Sequence, residues 1–135
     1  MEENGLSLLQ QEMSNEEVHV KVNAIHRLKT VILNMGVDDT ISKVIPYLKD
    51  LISSEDDEVL FAIAEEIRRI FLLIPDNTIF LPLLEELASQ SETVVREEAA
   101  KSLNAISKEL SDAEIQNYYA PLVIKLAAGE WFPQR

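Results

Sequence analysis

Three prolines in matching company, in IPYL at 45–48, LPLL at 81–84 and APLV at 120–123, divide this chain into units. Pro46, Pro82 and Pro121 are spaced by 36 and 39 residues. Each is followed by an apolar residue (Leu51, Leu87, Leu126) and then by a short stretch, SSEDDE, SQSET or AGEWF. The same offsets carried backward align Val20 with Val59 and Val95, Ala24 with Ile63 and Ala99, and Leu28 with Ile67 and Leu103. They also align Val31 with Ile70 and Ile106, and Met35 with Ile74 and Leu110. A chain repeating at this interval stacks copies of one unit, each burying its apolar face against the next.

Within each unit the apolar period is helical. Ile41, Val44, Ile45, Leu48, Leu51 and Ile52 form one stripe, Ile63, Ile67, Ile70 and Ile74 another, and Ile115, Tyr118, Leu122 and Leu126 a third. No segment alternates with a period of two. The spacing predicts helices at roughly 5–13 and 17–34, 39–52 and 57–73, 78–89 and 93–109, and 112–128. Ser14 with Glu17, Ser54 with Asp57, and Ser111 with Glu114 read as capping boxes. A proline inside an ordinary helix costs about 3 kcal/mol. Its recurrence therefore favours kinked first helices that let each hairpin bend around its neighbour. The expectation is an all-α stack of antiparallel helix pairs.

Charge narrows the range of partners. Twenty-four acidic and twelve basic side chains leave a net charge of −12, a field that repels nucleic-acid phosphates and anionic lipid. There is no cysteine, so disulfides and thiolate chemistry are excluded. The acidic start MEENG does not resemble a secretory signal. The apolar runs VLFAIA and IFLLI fall far short of the roughly 20 residues of a membrane span. A cytoplasmic or nuclear protein is expected.

The paired helices, the proline in the first and an acidic–x–x–Val–Lys/Arg turn opening the second make the unit similar to the HEAT repeat. Glu17-Val18-His19-Val20-Lys21 and Glu92-Thr93-Val94-Val95-Arg96 carry that turn, whereas the second repeat has Leu60 where the base belongs. More narrowly, DEVLFAIAEE, ETVVREEAAKSLNAIS and APLVIKLAAGEWFPQR resemble the amino-terminal repeats of the scaffold A subunits of type 2A protein serine/threonine phosphatase. That resemblance implies a right-handed HEAT-repeat solenoid of about three and a half repeats within one domain over 1–135. The repeats run over about 5–36, 37–75, 76–110 and, in part, 111–135. It implies a fragment from the amino-terminal end of a longer, non-catalytic scaffold. The early repeats would hold B-type regulatory subunits through their intra-repeat turns, and the catalytic subunit would be held by later repeats. The alternative is a HEAT adaptor or transport protein with other cargo.

The turns, Ser14–Glu17, Ser53–Glu58, Gln90–Thr93 and Gly129–Phe132, form the expected binding row, because their side chains need not pack. Candidate protein-binding residues are Glu58, Glu92, Arg96, Trp131 and Phe132. Glu58 matches an acidic contact position by resemblance, and Trp131 and Phe132 are residue types enriched among interface anchors. Tyr118 is expected in the core and Tyr119 at its edge. Arg68 and Arg69 are read as solvated partners of a helix end, and Glu55 to Glu58 as a solvated turn. The helix at 112–128 is expected to lack the partner that would bury Leu122 and Leu126.

No cofactor or metal is expected. His19 and His26 lie about 10 Å apart along one predicted helix, too far to share an ion unaided. Neither is followed by glutamate, unlike the His-Glu pairs of iron-binding HEAT-like hydroxylases, and the net charge opposes a DNA-processing relative. Glycine at 5, 36 and 129 provides no phosphate loop. Glu55 to Glu58 lack the glycine and ligand spacing of a calcium loop.

Overall fold

The structure, a computed structural model, describes residues 5–128. Among them every regular element is helical. The first hairpin pairs α1 (Gly5–Met13) with α2 (Val18–Ile25) and α3 (Leu28–Met35). The second runs through α4 (Val37–Asp39), a π-helical turn (Thr40–Val44) and α5 (Ile45–Ser54), then returns in α6 (Asp57–Ile70). The third pairs α7 (Leu81–Leu87) with α8 (Thr93–Ser107). A further first helix follows as α9 (Asp112–Glu114), a second π-helical turn (Ile115–Tyr119) and α10 (Ala120–Ala127). This is an all-α stack of antiparallel helix pairs.

Stacking follows from the apolar stripes. The second helix of the middle unit, α6, packs between α2 and α8, while the first helices α5, α7 and α10 form the other layer. Ile25, Leu28, Leu48, Ile63, Ile67, Ile70, Leu84 and Leu87 are sealed from solvent where the layers meet. Each such side chain contributes about 1.5–3 kcal/mol by leaving water. Ile41, by contrast, is 39% exposed, so the stripe of the second unit begins at Val44.

The prolines are accommodated rather than forced. Pro46 and Pro121 each follow a π-helical turn and open the next α-helix, and Pro82 follows a short 3-10 turn (Asn77–Phe80). In the π turns the Ile45 N–H reaches the Thr40 carbonyl and the Ala120 N–H reaches that of Ile115. The wider ladder passes over the position where proline has no N–H, so the interior-helix cost does not arise.

Several local expectations change. The helix expected over 17–34 breaks at His26 and Arg27 into α2 and α3. Gly36 ends α3 at φ 87°, a left-handed conformation that a side chain would strain. Buried Thr40 then donates its hydroxyl to the Gly36 carbonyl at 2.7 Å. Of the three capping boxes only Ser111 with Glu114 forms, with reciprocal bonds of 3.1 and 2.9 Å. Ser14 and Ser54 instead finish the preceding helices, donating to the carbonyls of Gln11 and Asp50. Tyr118, expected in the core, is 57% exposed, while Tyr119 packs partly buried at the edge of the core. Leu122 and Leu126 are buried, and the uncovered apolar residues of α10 are Val123 and Ile124. Tyr118 lies within the π turn, off the face that Leu122 and Leu126 bury.

Candidate functional site

The turns between first and second helices place the candidate residues. α6 starts after Asp56, whose extended backbone ends the turn, and puts Asp57 and Glu58 in its first turn. There carboxylates favour the positive end of the helix dipole by about 0.3–1 kcal/mol each. Glu58 is exposed. α8 starts after Glu92, also exposed, whose side chain makes no capping bond. Arg96 turns back on its own loop, donating to the carbonyls of Gln90 and Ser91 at 2.9 and 2.8 Å and to the Thr93 hydroxyl at 3.1 Å. It therefore holds the turn that presents Glu92. Trp131 and Phe132 lie outside the described residues.

The structure brings Glu58 and Glu92 to one groove. Its lining is Val22 and His26 from α2, Asp57, Glu58, Phe61, Ala62 and Glu65 from α6, and Glu92 and Val94 from the third unit. The cavity encloses about 640 Å³. Its floor is apolar: Phe61 packs partly into the core, and Val94 is 49% exposed. Its rim is acidic. Asp57, Glu58 and Glu92 form no ion pair among the described residues, and Glu65 meets Arg69 only at 3.8 Å. Sequence reasoning picked out the rim and missed the floor. Val94, apolar beside the core residue Val95 at an exposed helix start, was the signal available.

Charged groups that read as solvent-facing instead tie the units together. Arg68 pairs with Glu98 on α8 and donates to the Glu98 carbonyl at 3.3 Å and the Ser102 hydroxyl at 3.2 Å. Glu66, 1% exposed, lies 3.0 Å from His26 Nδ1 and 3.3 Å from an Arg69 nitrogen. Glu55 leaves its turn to meet Lys21 at 3.0 Å, and both side chains are largely covered. Burial raises the Tyr47 phenol above its ordinary pKa, and the Glu55 carboxylate adds to the rise. The partners in Lys21–Glu55, His26–Glu66 and Arg68–Glu98 lie 34, 40 and 30 residues apart, beyond the reach of local patterns. Arg69 remains mostly exposed.

Among the described residues, no group of three or more histidine, aspartate or glutamate side chains could hold a metal ion. No described helix is long and apolar enough to cross a membrane.

No protein-family model matches the chain. Individual relatives do. Over 133 residues, 96% of this chain, it is 42% identical to the beta isoform of the 65 kDa regulatory A subunit of serine/threonine-protein phosphatase 2A from Homo sapiens. Over 133 residues it is 35% identical to the regulatory A subunit of protein phosphatase PP2A from Saccharomyces cerevisiae. The alpha isoform of the 65 kDa regulatory A subunit from Arabidopsis thaliana is 37% identical over 134 residues. This chain belongs to the family of these regulatory A subunits. It spans only about a fifth of their length, 22%, 21% and 22%. The paired helices and the stacked second-helix layer are those of a HEAT-repeat solenoid.

Proposed function

We propose that this chain serves as the regulatory-subunit-binding end of a non-catalytic type 2A phosphatase scaffold, with its repeats over about 5–36, 37–75, 76–110 and part of 111–135. The observation that carries this reading is the groove that joins the intra-repeat turns of the second and third units, with Glu58 and Glu92 on its rim. The relatives are named as regulatory subunits, which supports a role in assembly rather than catalysis. B-type regulatory subunits are the proposed partners, with Trp131 and Phe132 extending the contact row, and the catalytic subunit is held by later repeats of a longer protein.

Calorimetric titration with purified regulatory and catalytic subunits tests this. Saturable binding of a regulatory subunit is expected, weakened roughly tenfold by Glu58→Lys, because reversing an interfacial charge replaces attraction with repulsion. Binding of only the catalytic subunit, or of neither, rejects the proposal.

A further inference from the structure

The groove between α2, α6 and α8 has a chemistry that specifies its occupant. Its floor, at Phe61 and Val94, is apolar and open to solvent, and can cover a side chain of similar kind. A volume of about 640 Å³ lies within the range of sites that enclose a small ligand or a few side chains. Above the floor stand Asp57, Glu58 and Glu92, without ion-pair partners among the described residues. Among the described residues neither lysine nor arginine lines the groove, and the basic side chain that does, His26, lies against Glu66.

A neutral apolar ligand would strip water from these carboxylates and return nothing, whereas burying a charge is tolerable only when it is paired. An acidic ligand would be repelled by the rim and by a chain of net charge −12. A cationic segment supplies the missing charges and gains on-rate from the same field.

We infer that this groove receives a lysine- or arginine-rich segment of a protein partner that carries one aromatic or branched apolar side chain, the apolar group seated on Phe61 and Val94 and the cations on Asp57, Glu58 and Glu92. The identity of the partner as a phosphatase regulatory subunit rests on the scaffold reading above; the chemistry of the segment does not.

The test uses the full chain and three fluorescein-labelled synthetic peptides of equal length: one lysine-rich with a central phenylalanine, one with alanine in its place, and one with glutamates for the lysines. Fluorescence anisotropy is expected to rank them phenylalanine, alanine, glutamate, with about a tenfold loss at each step. Val94→Ser should abolish the preference for phenylalanine, and Glu92→Lys should weaken both lysine-rich peptides. Both positions are exposed, and unchanged circular dichroism verifies each fold. Amide shifts on adding the phenylalanine peptide should centre on the starts of α6 and α8. Equal binding of the phenylalanine and alanine peptides, no binding of either, or shifts centred elsewhere would overturn the inference. A purified regulatory subunit should displace the peptide. If that subunit binds without displacing it, the assignment of the groove's occupant fails and the scaffold reading stands. If the peptide binds as described and no regulatory subunit does, the scaffold reading fails and the groove chemistry stands.

Discussion

Ser102 on α8 donates its hydroxyl to the Ala64 carbonyl on α6 at 2.5 Å, and both residues are sealed from solvent. The same hydroxyl accepts from Arg68, which pairs with Glu98. This contact ties one repeat to the next at the most extensively packed helix pair of the stack. Ser102→Ala should cost about 1 kcal/mol, the net worth of a hydrogen bond. Glu98→Ala should cost about 2 kcal/mol, because it leaves a largely covered guanidinium without its carboxylate. Urea denaturation measures both, and losses within error of zero would mean that apolar packing alone joins the two repeats.

The serines separate formed caps from apparent ones. Ser111→Ala should destabilise the chain by about 1 kcal/mol, since its oxygen accepts from the Glu114 N–H. Ser14→Ala and Ser54→Ala should each change stability by less than about 0.5 kcal/mol, as surface substitutions away from a cap do. Thermal melts of the three variants check the ranking.

Pro46 tests the π turn. A proline forced into a regular helix would, on replacement by alanine, return about 3 kcal/mol. Because Pro46 opens α5 after the turn has bypassed its missing N–H, Pro46→Ala should stay within about 1 kcal/mol of the parent, with any loss arising from a more flexible unfolded chain. A large stabilisation in urea titration would contradict that arrangement.

The adjacent tyrosines give a further contrast. Tyr119→Ala removes a ring packed on the core and should cost about 2 kcal/mol, while Tyr118→Ala, at an exposed position, should cost less than about 0.5 kcal/mol. Equal losses on denaturation would mean that both rings pack.

Apolar period is a local property, legible over a few residues, and it was enough to establish the helical class and the pairing of helices. Val59, Ile63, Ile67 and Ile70 are buried on α6, as their spacing required. The turns carrying Glu58 and Glu92 were located in the same way. Whatever depends on residues a repeat apart emerged only on stacking. Arg68 reads as a solvated helix-end cation until α8 brings Glu98 and Ser102 beside it. Tyr118 follows the apolar stripe in the sequence but lies exposed within a π turn. Arg96, one of the expected contacts, is engaged with its own turn. The groove arises only because stacking places Val22, Phe61 and Val94 side by side from three units, and of these only Val94, apolar at an exposed helix start, stood out in the sequence. Helical period fixes which face of a segment is apolar, and the relative rotation of neighbouring units fixes which apolar residues meet.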